Sequence, residues 1–238
     1  NVDGDVFFLR DEAIIDVEPG VSLLKGVRDV GGETGRDAAS QKGGDGSVVN
    51  SNRDGIQVVH GEEVTYRIDL TAPKFPIAGL TVWDSLPDGI TCDDVSQHPG
   101  PALSFDDCHD PGDGGFPPGL AGDHVERSVL IWTDIEVDAG DHTTLTYTVT
   151  IPDSASVSTR LDNTASIISY KSGTNISSTE TYYPEGSLNT DLEDDWNAPG
   201  EDARDDSWVE LPGAGVVKTA TTTKQDDHNL PGQAVTGE

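Results

Sequence analysis

The sequence contains no methionine, and its 238 residues include only 14 lysines and arginines against 44 aspartates and glutamates. The formal net charge at pH 7 is therefore −30. Phosphate backbones and anionic lipid repel such a chain, which argues against binding of nucleic acid or of a membrane surface. No apolar run approaches the ~18–20 residues of a membrane-spanning helix, and the opening residues NVDGDVFFLR lack the pattern of a signal peptide.

Cysteine is also scarce, with only Cys92 and Cys108, in a stretch rich in Pro, Gly and Asp. In a secreted protein this pair predicts a disulfide that closes a loop, a constraint of ~3 kcal/mol on the unfolded chain. The alternative is a metal site with His98 or His109, although the spacings match no zinc motif. The Asp-rich acidity is typical of extracellular surroundings, so we expect a location outside the cell, in the cell wall or on a surface appendage.

Helical periodicity is nearly absent, and short runs rich in Val, Ile, Thr and Tyr recur between Gly, Pro and Asp. Seven such strands predict an all-β protein, a Greek-key β-sandwich of the immunoglobulin-like type. The predicted strands are 21–27, 56–60, 63–70, 79–84, 128–137, 143–151 and 161–170. The long segment 93–127 is predicted to be an ordered loop held by the two cysteines.

The two ends of the chain resemble each other. Residues 11–25, DEAIIDVEPGVSLLK, match residues 205–218, DDSWVELPGAGVVK, with a one-residue gap. Tandem units of this kind predict neighbouring repeat domains, or other copies of the chain, as partners. The predicted organisation is a tail or linker of a preceding unit (1–20), a sandwich domain (21–183), an acidic linker (184–213) and the first strand of a following unit (214–238).

The last of these segments repeats the pattern of the first strand, with Lys218 at the position of Lys25 and Val216 on the same face. A strand with an apolar face and no sandwich of its own tends to add to a neighbouring sheet. We therefore expect Val216 and Lys218 to lie in a strand that enters the next domain or another subunit, as in a filament.

Motifs of known enzyme classes are missing, among them G-x-S-x-G, H-E-x-x-H, a phosphate-binding Gly-Lys-Ser/Thr loop and a Gly-rich dinucleotide fingerprint. The six histidines have no regular spacing and are predicted to be solvated loop residues. We expect no enzymatic turnover. A hydrolase that uses paired aspartates is a further alternative, and it would require a concave site with perturbed pKa values.

Three predicted strands each carry one polar residue on an otherwise apolar face, because alternate residues of a strand share a face. Lys25 lies with Leu23 and Val27 in VSLLKGV. Asp84 shares a face with its apolar neighbours in LTVWDSL, and Asn163 does so in LDNTASI. A buried charge is costly, so these groups should be paired or neutral.

An amine, a carboxyl and a carboxamide are also the parts of a self-formed Lys–Asn isopeptide bond. A buried lysine loses its proton readily and becomes a nucleophile, while a buried aspartate keeps its proton and polarises the amide carbonyl. The alternative from the pattern alone is a buried Lys25–Asp84 salt bridge, with Asn163 hydrogen-bonded nearby or capping a turn.

The segments VHGEEVTYRIDL, LTVWDSLPDGI, LTYTVTIPDSA and LDNTASI, in this order, resemble the repeated surface-protein domain of bacterial adhesins. They are similar also to the isopeptide-forming pilin and adhesin domains of Gram-positive bacteria, and the resemblance covers roughly residues 21–170. It implies that Lys25 is the amine, Asp84 the catalytic carboxyl and Asn163 the acceptor.

Calcium is the predicted cofactor, because acidic side chains crowd the linker and Ca²⁺ is bound by six to eight oxygens. The predicted ligands are Asp191, Glu193, Asp195, Asp202 and Asp205. A second alternating set of oxygen ligands precedes the equivalent strand at the other end of the chain, with Asn1, Asp3 and Asp5.

The sequence thus predicts a structural or adhesive module of a secreted, cell-surface or filament-forming protein, with a host or surface glycan or protein as an adhesive target. The alternative is a carbohydrate-binding or accessory module of an extracellular enzyme, in which Trp83, Trp132, Trp196 or Trp208 would stack on sugar rings. Trp83 and Trp132 are predicted to lie opposite the inward faces of their strands, which favours their exposure.

Overall fold

The structure is a computed structural model that describes the central part of the chain with several gaps. The described residues are 20–31, 56–98, 102–120, 122–157, 159–172, 181–184, 186–189 and 203–213. Within these ranges no helix is long and apolar enough to cross a membrane.

Ten strands form in the described ranges, joined by loops and two short 3₁₀ helices, Cys92–Asp94 and Gly122–Glu126. The strands are β1 (Ser22–Val30), β2 (Ile56–Gln57), β3 (Glu63–Thr71), β4 (Ile77–Ser85), β5 (Val95–Gln97), β6 (Asp107–His109), β7 (Val129–Val137), β8 (His142–Thr150), β9 (Thr159–Ser172) and β10 (Arg204–Leu211). All seven predicted strands are present, with ends within three residues of those predicted.

The strands form two sheets, one with the order β1-β3-β8-β5 and the other with the order β2-β10-β9-β4-β7-β6. Among the described strands, consecutive strands lie in different sheets except for the pairs β6–β7 and β9–β10, so the sheets face each other as a sandwich with Greek-key connections. The predicted all-β sandwich is confirmed.

The core lies between the two sheets, where each long strand directs alternate side chains inward. Tyr66 and Ile68 of β3 and Leu145 and Tyr147 of β8 are fully buried there. Each large apolar side chain that leaves water contributes about 1.5–3 kcal/mol to folding, which makes this alternation the main source of stability.

A β-bulge in β7 changes which residues of that strand face the core. Asp134 has a φ of 52°, and the pairing with β4 shifts from Leu80–Ile135 to Val82–Trp132 across it. A bulge adds one residue, so even-numbered residues face the core before it and odd-numbered residues after it. The predicted exposure of Trp132 is therefore wrong: its side chain is 1% exposed and belongs to the core.

The prediction of an acidic linker over 184–213 is wrong for residues 204–211. This segment forms β10, which pairs antiparallel with β9 along its whole length and parallel with β2. Ser207, Val209 and Leu211 are buried, while Asp206, Trp208 and Glu210 alternate with them on the other face. Residues 204–211 therefore belong to the sandwich rather than to a linker outside it.

The 93–127 excursion, the segment between β4 and β7, covers part of the outer face of the second sheet. Leu120 and Phe116 of the excursion pack with Trp83 of β4 and with Leu188 in a second apolar cluster. The predicted exposure of Trp83 is therefore also wrong, since 7% of its surface remains accessible. The ring lies on the outer face as predicted, but a third layer buries it.

The predicted disulfide in the excursion is confirmed. Cys92 and Cys108 are bonded, with their Cα atoms 5.8 Å apart, which excludes them as zinc ligands. Asp110 organises the same region, because its Oδ1 accepts hydrogen bonds from the Cys92 amide at 3.0 Å and from the Ser128 hydroxyl at 2.6 Å.

Candidate functional site

Lys25, Asp84 and Asn163 meet in the core between the sheets. Lys25 lies on β1 at the edge of one sheet, and Asp84 and Asn163 lie on the neighbouring strands β4 and β9 of the other. All three are fully buried. Each is inward because it shares the face of its apolar neighbours, as the alternation along each strand predicts.

The lysine amine contacts both partners. Lys25 Nζ donates a short hydrogen bond to Asp84 Oδ2 and another, of 2.7 Å, to Asn163 Oδ1. The amine and the side-chain amide are thus in hydrogen-bond contact across the sandwich, between residues 138 positions apart in sequence. A covalent bond between them stays a prediction.

Burial shifts the pKa values of the amine and of the carboxyl toward their neutral forms. Desolvation lowers the pKa of Lys25 below 10.5, although the nearby Asp84 charge opposes the shift. Desolvation likewise raises the pKa of Asp84 above 3.8, against the opposing effect of Lys25. The contact has the geometry of a salt bridge, but desolvation is the larger influence on both groups, so we assign to both pKa shifts a direction toward the neutral form.

The second carboxyl oxygen supports this assignment. Oδ1 of Asp84 is buried and has no hydrogen-bond partner among the described residues. An unsatisfied oxygen is much more costly on a carboxylate than on a neutral carboxylic acid. The arrangement therefore favours a proton on Asp84 and a free electron pair on the Lys25 amine.

Tyr147 is a fourth member of the site that the sequence analysis did not identify. Its hydroxyl donates to Asp84 Oδ2 at 2.8 Å, accepts from Asn163 Nδ2 at 2.7 Å and lies 3.2 Å from Lys25 Nζ. A signal for it exists in LTYTVTI, where Tyr147 shares the inward face with Leu145 and Val149. Like the other three, it is a polar group on an apolar strand face.

The edge of β1 beside this site is covered by an acidic side chain of β10. Asp205 Oδ2 accepts a 2.7 Å hydrogen bond from the backbone amide of Lys25, and Asp205 Oδ1 accepts one of 2.9 Å from the amide of Asp206. Asp205 was predicted as a calcium ligand, and its observed contacts link the two sheets at this edge.

The other predicted calcium ligands, Asp191, Glu193, Asp195 and Asp202, lie outside the described residues, as do Asn1, Asp3 and Asp5. Val216 and Lys218 of the predicted next strand lie outside them too. Within the described ranges, no group of three or more His, Cys, Asp or Glu side chains is arranged to hold a metal ion.

The prediction that all histidines are solvated is wrong for His124. Its ring is 5% exposed, and its nitrogens contact the Ser85 hydroxyl at 2.9 Å and an Arg204 guanidinium nitrogen at 3.3 Å. These contacts attach the excursion to β4 and β10. A guanidinium can only donate, so His124 Nε2 is the acceptor in the contact with Arg204.

Two of the four indole rings predicted to stack on a sugar are buried. Trp83 and Trp132 are covered, and Trp196 lies outside the described residues. Trp208 is half-buried, and the Arg160 guanidinium lies 4.4 Å from its ring centroid.

Comparison with known proteins finds distant backbone similarities. A Corynebacterium diphtheriae protein described as membrane-anchored is 14% identical, with a TM-score of 0.36 over 88% of this chain. A family 123 glycoside hydrolase from Clostridium perfringens is 10% identical, with a TM-score of 0.34 over 81%. AvmM, which catalyses macrocyclization in alchivemycin A biosynthesis, is 12% identical, with a TM-score of 0.33 over 74%.

This chain spans 39% of the length of the Corynebacterium protein, 27% of the glycoside hydrolase and 97% of AvmM. At such TM-scores these similarities carry no argument about function. No protein-family model and no curated protein matches the chain.

Proposed function

We propose that this chain is a structural module of an extracellular surface protein or filament, stabilised by an isopeptide bond that Lys25 and Asn163 form with each other. The observation that carries this proposal is the contact of Lys25 Nζ with Asn163 Oδ1 and Asp84 Oδ2 in a fully buried site. Buried polar groups of this kind are costly unless they are paired or react.

The proposed reaction transfers the acyl group of Asn163 to the lysine amine. The electron pair of Nζ attacks Cγ of Asn163, and the C–N bond that forms replaces the bond from Cγ to Nδ2. Nζ loses one proton, Nδ2 gains one, and ammonia leaves. Asp84 accepts the proton that Nζ releases and supplies the one that Nδ2 gains, so it ends the reaction in its initial protonation state. The reaction happens once in each chain, without turnover.

The position of the bond suits a module that transmits force. It joins β1 in one sheet to β9 in the other, so β3, β4, β7 and β8 lie inside the covalent ring. Force entering at β1 would pass through the bond to β9 and leave these inner strands unloaded. The hydrogen bonds and side-chain packing of these inner strands would keep them folded, and the applied force would not act on those contacts.

An extracellular location is supported by the disulfide, because such bonds persist mainly in oxidising compartments. The repeat at the two ends supports a tandem arrangement with neighbouring domains. Lys218 follows Lys25 by 218 − 25 = 193 positions, and β10 is the counterpart of residues 11–17. We infer that one unit extends from β1 to β10, with a short Pro-Gly connection at each end.

Intact mass spectrometry of the purified chain tests the bond. We expect a mass about 17 Da below that of the sequence for one lost ammonia, and about 2 Da less again for the disulfide. Digestion should yield a branched peptide that contains Lys25 and Asn163. The Asp84→Ala chain should retain the side-chain nitrogen of Asn163 and lose no ammonia, because it lacks the carboxyl that the reaction requires.

Asp69→Ala is the matched control. It removes another buried carboxyl, paired with Arg67 at 2.7 Å on β3, and should leave the mass loss of 17 Da, roughly one ammonia, intact. A native chain whose mass is explained by the disulfide alone would contradict the proposed function.

A further inference from the structure

The Tyr147 hydroxyl touches each of the groups that would react. It accepts a hydrogen bond from Asn163 Nδ2 at 2.7 Å and donates one to Asp84 Oδ2 at 2.8 Å. It also lies 3.2 Å from Lys25 Nζ. One hydroxyl therefore bridges the carboxyl and the nitrogen that has to leave.

Neighbouring rings hold Tyr147 in this position. It pairs directly with Tyr66 across β3 and β8, and their rings stack with centroids 5.4 Å apart. The Trp132 ring lies against its other side, at 5.9 Å. A phenol confined in this way has few alternative conformations, which is what a proton-transfer group requires.

The leaving nitrogen needs a proton that Asp84 is not placed to deliver directly. An amide nitrogen departs as ammonia only after protonation, since an amide anion is far too basic to leave. The hydrogen bonds of Asp84 go through Oδ2 to Lys25 and Tyr147, and its Oδ1 has no partner among the described residues. The hydroxyl oxygen of Tyr147 is the group that contacts Nδ2.

We propose that Tyr147 is a catalytic residue of the isopeptide reaction, which relays a proton from Asp84 to the departing nitrogen of Asn163. This inference rests on the proposed Lys25–Asn163 bond. Once Cγ is tetrahedral, Nδ2 regains its electron pair and takes the phenolic proton. Tyr147 is reprotonated by Asp84, which in turn takes the proton released by Nζ. The net change is one proton moved from Nζ to Nδ2, and Tyr147 and Asp84 return to their initial states.

The surroundings keep Tyr147 in the form that the relay needs. Burial and the adjacent Asp84 raise the pKa of Tyr147 well above 10, so its hydroxyl remains protonated at neutral pH. It can therefore donate to Nδ2, whereas a phenolate would only accept.

Tyr147→Phe tests the relay, because it keeps the ring stack and removes the hydroxyl. The full-length chain is synthesised in a short pulse of labelled amino acids, and the labelled fraction that is lighter by about 17 Da is followed over time. We expect bond formation to be slower by about 10²-fold or more, the usual contribution of a positioned acid or base. Tyr170→Phe, which removes a half-buried hydroxyl from β9, should react at the wild-type rate.

A second variant carries 3-fluorotyrosine at position 147, which retains the ring and a hydroxyl but makes that hydroxyl more acidic. Its rate of bond formation should change if the hydroxyl transfers a proton and should stay unchanged if the hydroxyl only fills space. This variant decides the question if Tyr147→Phe does not fold.

A wild-type rate in Tyr147→Phe, or an unchanged rate in the fluorinated chain, would overturn the relay while leaving the proposed bond intact. A wild-type chain that never loses ammonia would instead refute the bond itself. The two failures are therefore distinguishable in the same mass measurements.

Discussion

At the scale of single residues, the dominant fact is that an amine and a carboxyl share a fully buried site. Lys25 and Asp84 are both fully buried, and desolvation opposes the charged form of each. Transfer of the proton from the amine to the carboxyl removes both charges and leaves the total number of bound protons unchanged. The same step would make the amine a nucleophile, so the proposed reaction would draw on the cost of burial.

The rate of bond formation should depend on pH in a bell-shaped manner. Reaction requires a neutral Lys25, so the rate falls as the pH drops through its lowered pKa. Reaction also requires a protonated Asp84, so the rate falls again as the pH rises through its raised pKa. Both limits belong to the coupled pair rather than to either residue alone. Mass analysis of freshly translated chain in buffers of different pH measures the profile.

A rate that rises only as the pH approaches 10.5, the pKa of an exposed lysine, would contradict the roles given to both residues. A rate that rises at lower pH and then stays constant would remove Asp84 from the mechanism and leave Lys25.

At the scale of elements, β10 shows how an acidic segment becomes part of a sheet. Its buried positions hold Ser207, Val209 and Leu211, and the acidic Asp206 and Glu210 lie on the other face. Asp205 also caps the free edge of β1, which links this strand to the reactive site. β10 therefore closes the open side of the sandwich next to Lys25.

Truncation of the buried valine of β10 tests whether this strand contributes to folding. Val209→Ala should destabilise the domain by about 1–3 kcal/mol, because it leaves a cavity between Ile56 and Leu161. The midpoint of urea unfolding measures the effect. Glu210→Ala, at the next, partly exposed position, should change stability by less than about 0.5 kcal/mol. Equal and negligible effects would mean that 204–211 is a linker after all.

The disulfide stabilises a different element, the 93–127 excursion. Replacement of both Cys92 and Cys108 by Ser should cost roughly 3 kcal/mol, since a loop of this length is then unconstrained in the unfolded chain. The isopeptide bond should still form, because none of the site residues belongs to the excursion. Thermal unfolding measures the first effect and intact mass the second. Loss of the cross-link in this variant would show that the excursion is needed to assemble the site.

At the scale of the whole molecule, the proposed bond determines how much of the domain can extend under force. Residues 164–211 lie outside the covalent ring, which is 211 − 163 = 48 residues. At about 3.6 Å per residue, unfolding of the native chain should release at most roughly 170 Å. Without the bond, the stretch from β1 to β10 should release roughly 600 Å with the disulfide intact.

Single-molecule pulling from the two ends of the chain measures this difference. Asp84→Ala should give the long extension and Asp69→Ala the short one. A long extension from a native chain shown by mass to be cross-linked would contradict the assigned positions of the bond.

The sequence alone determined seven of the ten described strands and the inward faces of the regular ones, because both depend on the period of two along a single strand. Lys25, Asp84 and Asn163 could be selected as a set for this reason, before their distances were known. The alternation of inward and outward side chains is a local pattern, and it holds along every strand that contains no bulge.

Only the tertiary structure decided which inward groups meet and where the alternation breaks. The hydroxyl of Tyr147 reaches the site because β8 lies beside β3. A local sequence pattern does not show which strands pair with each other. The bulge at Asp134 turned Trp132 into the core, and β10 became a strand because β9 offered a free edge. Contacts between residues more than a hundred positions apart depend on how the sheets pair and pack, and that is a property of the assembled sandwich.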